Sequence, residues 1–154
     1  MKKLILLFVS SLILVSCDID DDGPTILLTA AKVIDTDLPE FFEPGEIYDV
    51  KVTYLLPSAC HTDVDIDVRR GGPTGDNYRK IYIVGVASYD AKVTECDIEA
   101  EEDELEREDT FHVEIGSTED EPYTFYLWTG IDDDDENIYK EVVVPVGEPD
   151  VTEE

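Results

Sequence analysis

Ile47-Tyr48-Asp49-Val50-Lys51-Val52-Thr53-Tyr54-Leu55-Leu56 is the stretch that decides the fold. Tyr48, Val50, Val52, Tyr54 and Leu56 fall on one side of an extended chain, and Asp49, Lys51 and Thr53 on the other. That period of two belongs to a β-strand with one wet face, not to a helix, whose apolar positions recur every three or four residues. Pro57 ends the run.

The same reading extends in both directions along the chain. Ile26 to Ile34 is a candidate strand, followed by a loop holding Pro39, Pro44 and Gly45. Thr62 to Val68 alternates, with Val64, Ile66 and Val68 expected inward and Asp63, Asp65 and Asp67 facing water. After an Arg-Gly-Pro loop from Arg69 to Gly75, residues Arg79 to Ser88 are almost continuously apolar, which suits a central strand covered on both faces. Glu99 to Asp109 is dense in acids and offers only Ala100 and Leu105 for burial, so a solvated loop or a single helical turn is expected there. Thr110 to Ile115, Tyr123 to Trp128 and Ile138 to Val146 complete the set. About seven short strands in about 120 residues, with no long helix, predict an all-β domain: an immunoglobulin-like two-sheet β-sandwich, with a small β-barrel as the alternative. The expected organisation is a leader over 1–16, a tether over 17–24, the domain over 25–147 and an acidic tail over 148–154.

The 154 residues include 39 Asp or Glu and 11 Lys or Arg, a formal charge of -28. Such a chain is excluded as a nucleic-acid binder, because affinity for phosphate backbones comes from neutralisation by Lys and Arg. With 42% hydrophobic residues, eight Tyr and five Phe, it is nevertheless too apolar to be disordered throughout.

Lys2 and Lys3 followed by the apolar run Leu4 to Leu14 have the form of a processing signal, and the run is too short to span a bilayer. Leu14-Val15-Ser16-Cys17 at its end resembles the lipobox of bacterial lipoproteins. The resemblance implies cleavage before Cys17 and acylation of that cysteine, with a membrane partner reached through two or three acyl chains. Asp18-Ile19-Asp20-Asp21-Asp22 then resembles the acidic surface-export signal of lipoproteins in the Bacteroidota, which implies the outer face of the outer membrane. In enterobacterial lipoproteins, by contrast, Asp after the acylated Cys implies retention in the inner membrane.

Cys60 and Cys96 remain after Cys17 is set aside, an even pair in an exported chain. A disulfide is the expected arrangement, with two free thiols or a reactive Cys60 beside His61 as the alternatives. Asp132, Asp134 and Glu136 have the first spacings of a calcium loop, but Asn137 and Val143 stand where its Gly and bidentate Glu belong, so a solvated acidic turn competes with weak calcium binding. His61 and His112 lack any zinc-site context. No Gly-x-Ser-x-Gly elbow, phosphate loop or dinucleotide fingerprint occurs, so neither catalysis nor a cofactor is expected. Tyr82, Tyr126, Trp128 and Tyr139 lie on outward positions and form either a binding patch for a protein or sugar or the second face of a covered sheet. The functional expectation is a lipid-anchored envelope lipoprotein displaying a β-sandwich that binds or scaffolds an envelope protein or glycan. A calcium-dependent or polysaccharide-binding accessory module of an uptake system is the alternative.

Overall fold

The computed structural model describes residues 25–93, 95–96 and 98–148. Seven strands form the domain: β1 (Ile26–Thr36), β2 (Ile47–Leu55), β3 (Thr62–Arg70), β4 (Lys80–Asp90), β5 (Glu106–Glu114), β6 (Tyr123–Ile131) and β7 (Asn137–Val144). One helical turn, α1 (Glu102–Leu105), precedes β5. The chain is thus an all-β sandwich, not closed into a barrel.

β1 joins the two layers. Its first half, Ile26 to Ala31, pairs antiparallel with β4, and its second half, Lys32 to Thr36, pairs with β2. A register shift between Val33 and Asp35 accompanies the change of partner, as expected of a bulge that bends and twists a strand. The smaller layer is β5-β2-β1 and the larger holds β3, β4, β6 and β7, with β4 lying parallel to β6 over Lys80 to Ile83.

The core lies between the layers, and the alternation in β2 dictates half of it. Val50, Val52, Tyr54 and Leu56 are buried and pack toward Ile81, Ile83, Tyr123, Phe125 and Leu127 of the larger layer. Tyr54 crosses the core to β4 and lies directly over Gly85. A Cβ built on Gly85 would stand 2.6 Å from Tyr54 Cδ2 and 3.0 Å from the Ala31 Cβ. Glycine in a strand interior therefore has a packing cause here. Gly85→Ala gains about 0.5–1 kcal/mol of backbone entropy but overpacks by about 1–3 kcal/mol. A net loss in urea unfolding is expected, and a loss that shrinks when Tyr54 is also replaced by valine; equal losses in both backgrounds would show that the ring is not the obstacle.

Three features differ from the sequence expectation. β3 contains a register shift between Asp63 and Asp65, so its two ends obey opposite parities. Ile66 and Val68 point inward as expected, but Val64 is 49% exposed. Asp63 is exposed, as expected, but stands opposite buried Ala87 and accepts a hydrogen bond from the Tyr54 hydroxyl. Burial, then this bond, raise the Tyr54 phenol above its ordinary pKa. Secondly, the loop before β2 carries a core residue. Phe42 is fully buried, its N–H donates to Pro145 O at 2.9 Å, and its carbonyl accepts from Gly147 N at 2.7 Å. Thirdly, β5 begins at Glu106, earlier than Thr110; ahead of it the acidic segment forms the single helical turn expected, in which Glu101 N–H donates to Glu104 Oε2 at 3.0 Å. Pairing of Glu106 to Asp109 with Val52 to Leu55 supplies backbone bonds that acidic side chains do not oppose on a wet edge.

Candidate functional site

The two outer faces of the sandwich have opposite character. On the smaller layer, Asp49, Lys51, Glu108, His112 and Glu114 stand in solvent, with Lys51 Nζ 3.0 Å from Glu108 and His112 Nδ1 2.5 Å from Asp49. The outer face of the larger layer is aromatic and aliphatic over β4 and β6, with Asp67 and Arg69 of β3 and Glu141 of β7 at its margins.

This second face follows from parity. Ile81 and Ile83 point into the core, so Tyr82 and Val84 point out; Phe125 and Leu127 point in, so Tyr126 and Trp128 point out. Pairing then sets Tyr82 beside Tyr126, and Trp128 beside Tyr139. The Tyr82 and Tyr126 rings stack with centroids 4.7 Å apart and planes 13° from parallel, and Tyr139 meets both edge-on at 5.6 and 6.3 Å. Arg69 and Asp67, an ion pair at 2.6 Å, line a hollow with Tyr82, Val84 and Tyr139. Leu28 from β1, 67% exposed, and Val143 from β7, 54% exposed, extend the apolar surface to either side. Trp128 Nε1 donates to Asn137 Oδ1 at 2.8 Å, which fixes the indole at one end. Among the described residues no second sheet or helix covers this face, so the four aromatic residues singled out in the sequence come together on an open surface.

The ring geometry limits what that surface does. Two tyrosines on neighbouring strands, stacked at about the strand spacing, stand upright on the sheet with their faces turned to each other. Their edges and hydroxyls are offered outward. A flat ring platform of the kind that stacks against a pyranose is not presented by this pair.

The other predicted sites are placed as follows. Cys17, the tether from Asp18 to Asp22 and residues 149–154 lie outside the described residues. Cys60 and Cys96 stand at disulfide distance, with sulfurs 2.04 Å apart and Cα atoms 5.8 Å apart. His61 does not serve a thiol: its Nδ1 is 2.8 Å from Ser58 Oγ and its ring packs 5.2 Å from Tyr89. Asp132, Asp134 and Glu136 form the β6–β7 turn. Asp132 Oδ1 accepts from the N–H groups of Asp134 and Glu136, both at 2.9 Å, and Asp135 takes a left-handed φ of 61°. The first carboxylate is therefore engaged in holding the turn, a role Asp commonly takes. Among the described residues no group of three His, Cys, Asp or Glu is arranged to hold a metal ion. The burial of Phe42 and the hydrogen bond from Tyr54 to Asp63 were not foreseen; the adjacent Phe41 and Phe42 inside a Pro-flanked loop were the signal available for the first.

No protein-family profile matches the chain, and comparison with curated proteins and with solved structures brings no match either.

Proposed function

We propose that this chain is a non-catalytic, lipid-anchored protein of the bacterial cell envelope, displayed on the outer membrane surface, whose sandwich binds a partner protein through the open face of its larger layer. The observation that supports the binding reading is the cluster of Tyr82, Tyr126, Trp128 and Tyr139 on an uncovered sheet. Aromatic residues concentrate at the centres of protein interfaces, where a rigid ring contributes large contact area at small entropic cost. The upright stacking of Tyr82 and Tyr126 favours a protein partner over a glycan. Cys60 and Cys96 form a structural disulfide in this reading, consistent with their separation and with an oxidising location.

The anchor is carried by Leu14-Val15-Ser16-Cys17, and its test is direct. Wild-type protein expressed with labelled palmitate is expected in the membrane fraction carrying label, and Cys17→Ser in the soluble fraction without it. The described domain begins eight residues later, so the variant should melt at the wild-type temperature once extracted. A Cys17→Ser protein that still sediments with membranes would refute the anchor. Protease added to intact cells distinguishes the faces: digestion of the domain supports surface display, and protection places it inward.

A further inference from the structure

We infer that the free edge of β7 is a strand-addition site for an extended, basic segment of the partner protein; this rests on the binding reading above and names the partner's chemistry. Among the described residues, strands β3, β5 and β7 each pair with another strand on one side only, and Phe42 bridges to Val146 just past the end of β7. An unpaired edge is a template for another chain, and folded proteins guard such edges with charges and bulges. β3 is guarded twice, by Asp63, Asp65, Asp67, Arg69 and Arg70 and by its register shift. β5 is guarded by Glu106, Arg107, Glu108, Asp109 and Glu114. β7 reads Asn137-Ile138-Tyr139-Lys140-Glu141-Val142-Val143-Val144, with two opposite charges and five apolar residues. Ile138, Tyr139 and Val143 are 44%, 37% and 54% exposed. Its one irregularity, between Trp128 and Gly130, places the extra residue on β6 and none on β7.

The apolar side chains of this edge also continue the aromatic face. An added strand would place its alternate residues beside Tyr139 and Val143, as an eighth strand of the domain at the edge of the larger layer, while main-chain bonds to β7 supply affinity. Charge selects the occupant. The five acids Asp132 to Glu136 lead into one end of β7, Glu141 lies at its middle, and Glu148 follows its other end. A second copy of the chain would bring another charge of -28 to the same edge. A segment alternating Lys or Arg with aliphatic residues meets both the acids and the apolar row, and its association should be faster at low salt.

The test uses the Cys17→Ser protein and three synthetic ten-residue peptides: alternating Lys and Val, the same peptide with alternate backbone nitrogens methylated, and alternating Glu and Val. Saturable binding of the Lys/Val peptide by fluorescence anisotropy is expected, weakened by about tenfold or more by N-methylation and by Val143→Lys, and absent for Glu/Val. Amide exchange should slow at β7 and not at β3 or β5. Equal binding of the methylated peptide, or protection confined to β3 or β5, would overturn the edge assignment. In that event, loss of binding in Tyr139→Ser would leave the face reading standing, and indifference to that variant would remove both. Self-association of the protein that protects β7 without any peptide would also overturn it, by making the second copy the occupant.

Discussion

Replacing Phe42 by alanine is expected to lower the unfolding free energy by about 3–5 kcal/mol, the range for removing a fully buried aromatic ring. The ring bridges the two layers: its centroid lies 4.8 Å from that of Tyr48 on β2, and 5.7 and 6.0 Å from those of Tyr123 and Phe125 on β6. Its backbone bonds to Pro145 and Gly147 and its bridge to Val146 tie the loop to the end of the chain's last strand. The alanine variant keeps those bonds and opens a cavity the size of a ring, which rigid strands on both sides prevent from collapsing. For a domain whose total stability is of order 5–15 kcal/mol the loss is a large fraction. Phe42→Leu should cost much less because it leaves most of the volume filled. Chemical denaturation checks both. A loss under about 1 kcal/mol for the alanine variant would mean that the loop opens independently of the core, against its complete burial.

Most of the architecture is legible from side-chain parity, because a strand with one buried face must alternate. β2 shows this most plainly, and the inward set Val50, Val52, Tyr54 and Leu56 follows from the sequence alone. β4 is legible as a central strand, but its continuous apolar run predicts cover on both faces, and among the described residues the outer face that carries Tyr82, Val84 and Val86 is uncovered. What parity does not carry is the position of a bulge. Asp63-Val64-Asp65 reads as ordinary alternation, and only the pairing with β4 shows that one residue is extra and that exposed Asp63 stands opposite Ala87, within hydrogen-bond reach of Tyr54. Long-range placement is illegible for the same reason. Phe42 sits between Pro39 and Pro44, where no periodicity exists, and its burial depends on strands Tyr123 to Ile131 and Asn137 to Val144 far along the chain. The aromatic site stands between these cases. Outward Tyr82, Tyr126, Trp128 and Tyr139 are visible in sequence, but whether another layer covers them is a property of topology, and the parallel contact of β4 with β6 is what brings Tyr82 against Tyr126.

Reducing the Cys60–Cys96 pair is expected to destabilise the domain by about 4 kcal/mol, from the loop-closure entropy that a cross-link over 36 positions removes from the unfolded chain. The place of the bridge adds a native-state argument. Cys60 lies in the connection from β2 to β3, and Cys96 in the long crossing from β4 to α1, whose described residues contribute none to the core. The helical turn at the end of that crossing is held to the sandwich by Leu56 N–H donating to Leu105 O at 3.0 Å and by packing of Leu105 on the core. Without the bridge, the residues between Asp90 and Glu101 would lose their one covalent tie and fray, while the strands stay paired. Cys60→Ser with Cys96→Ser should therefore lower the denaturation midpoint strongly and speed amide exchange around residues 91–101, with β4 and β6 exchange following the global change. The substantial charge of -28 sharpens the effect at low salt, where self-repulsion already opposes compaction. A midpoint unmoved by reductant, together with two titratable thiols in the unreduced, unfolded Cys17→Ser protein, would replace the disulfide by two free cysteines.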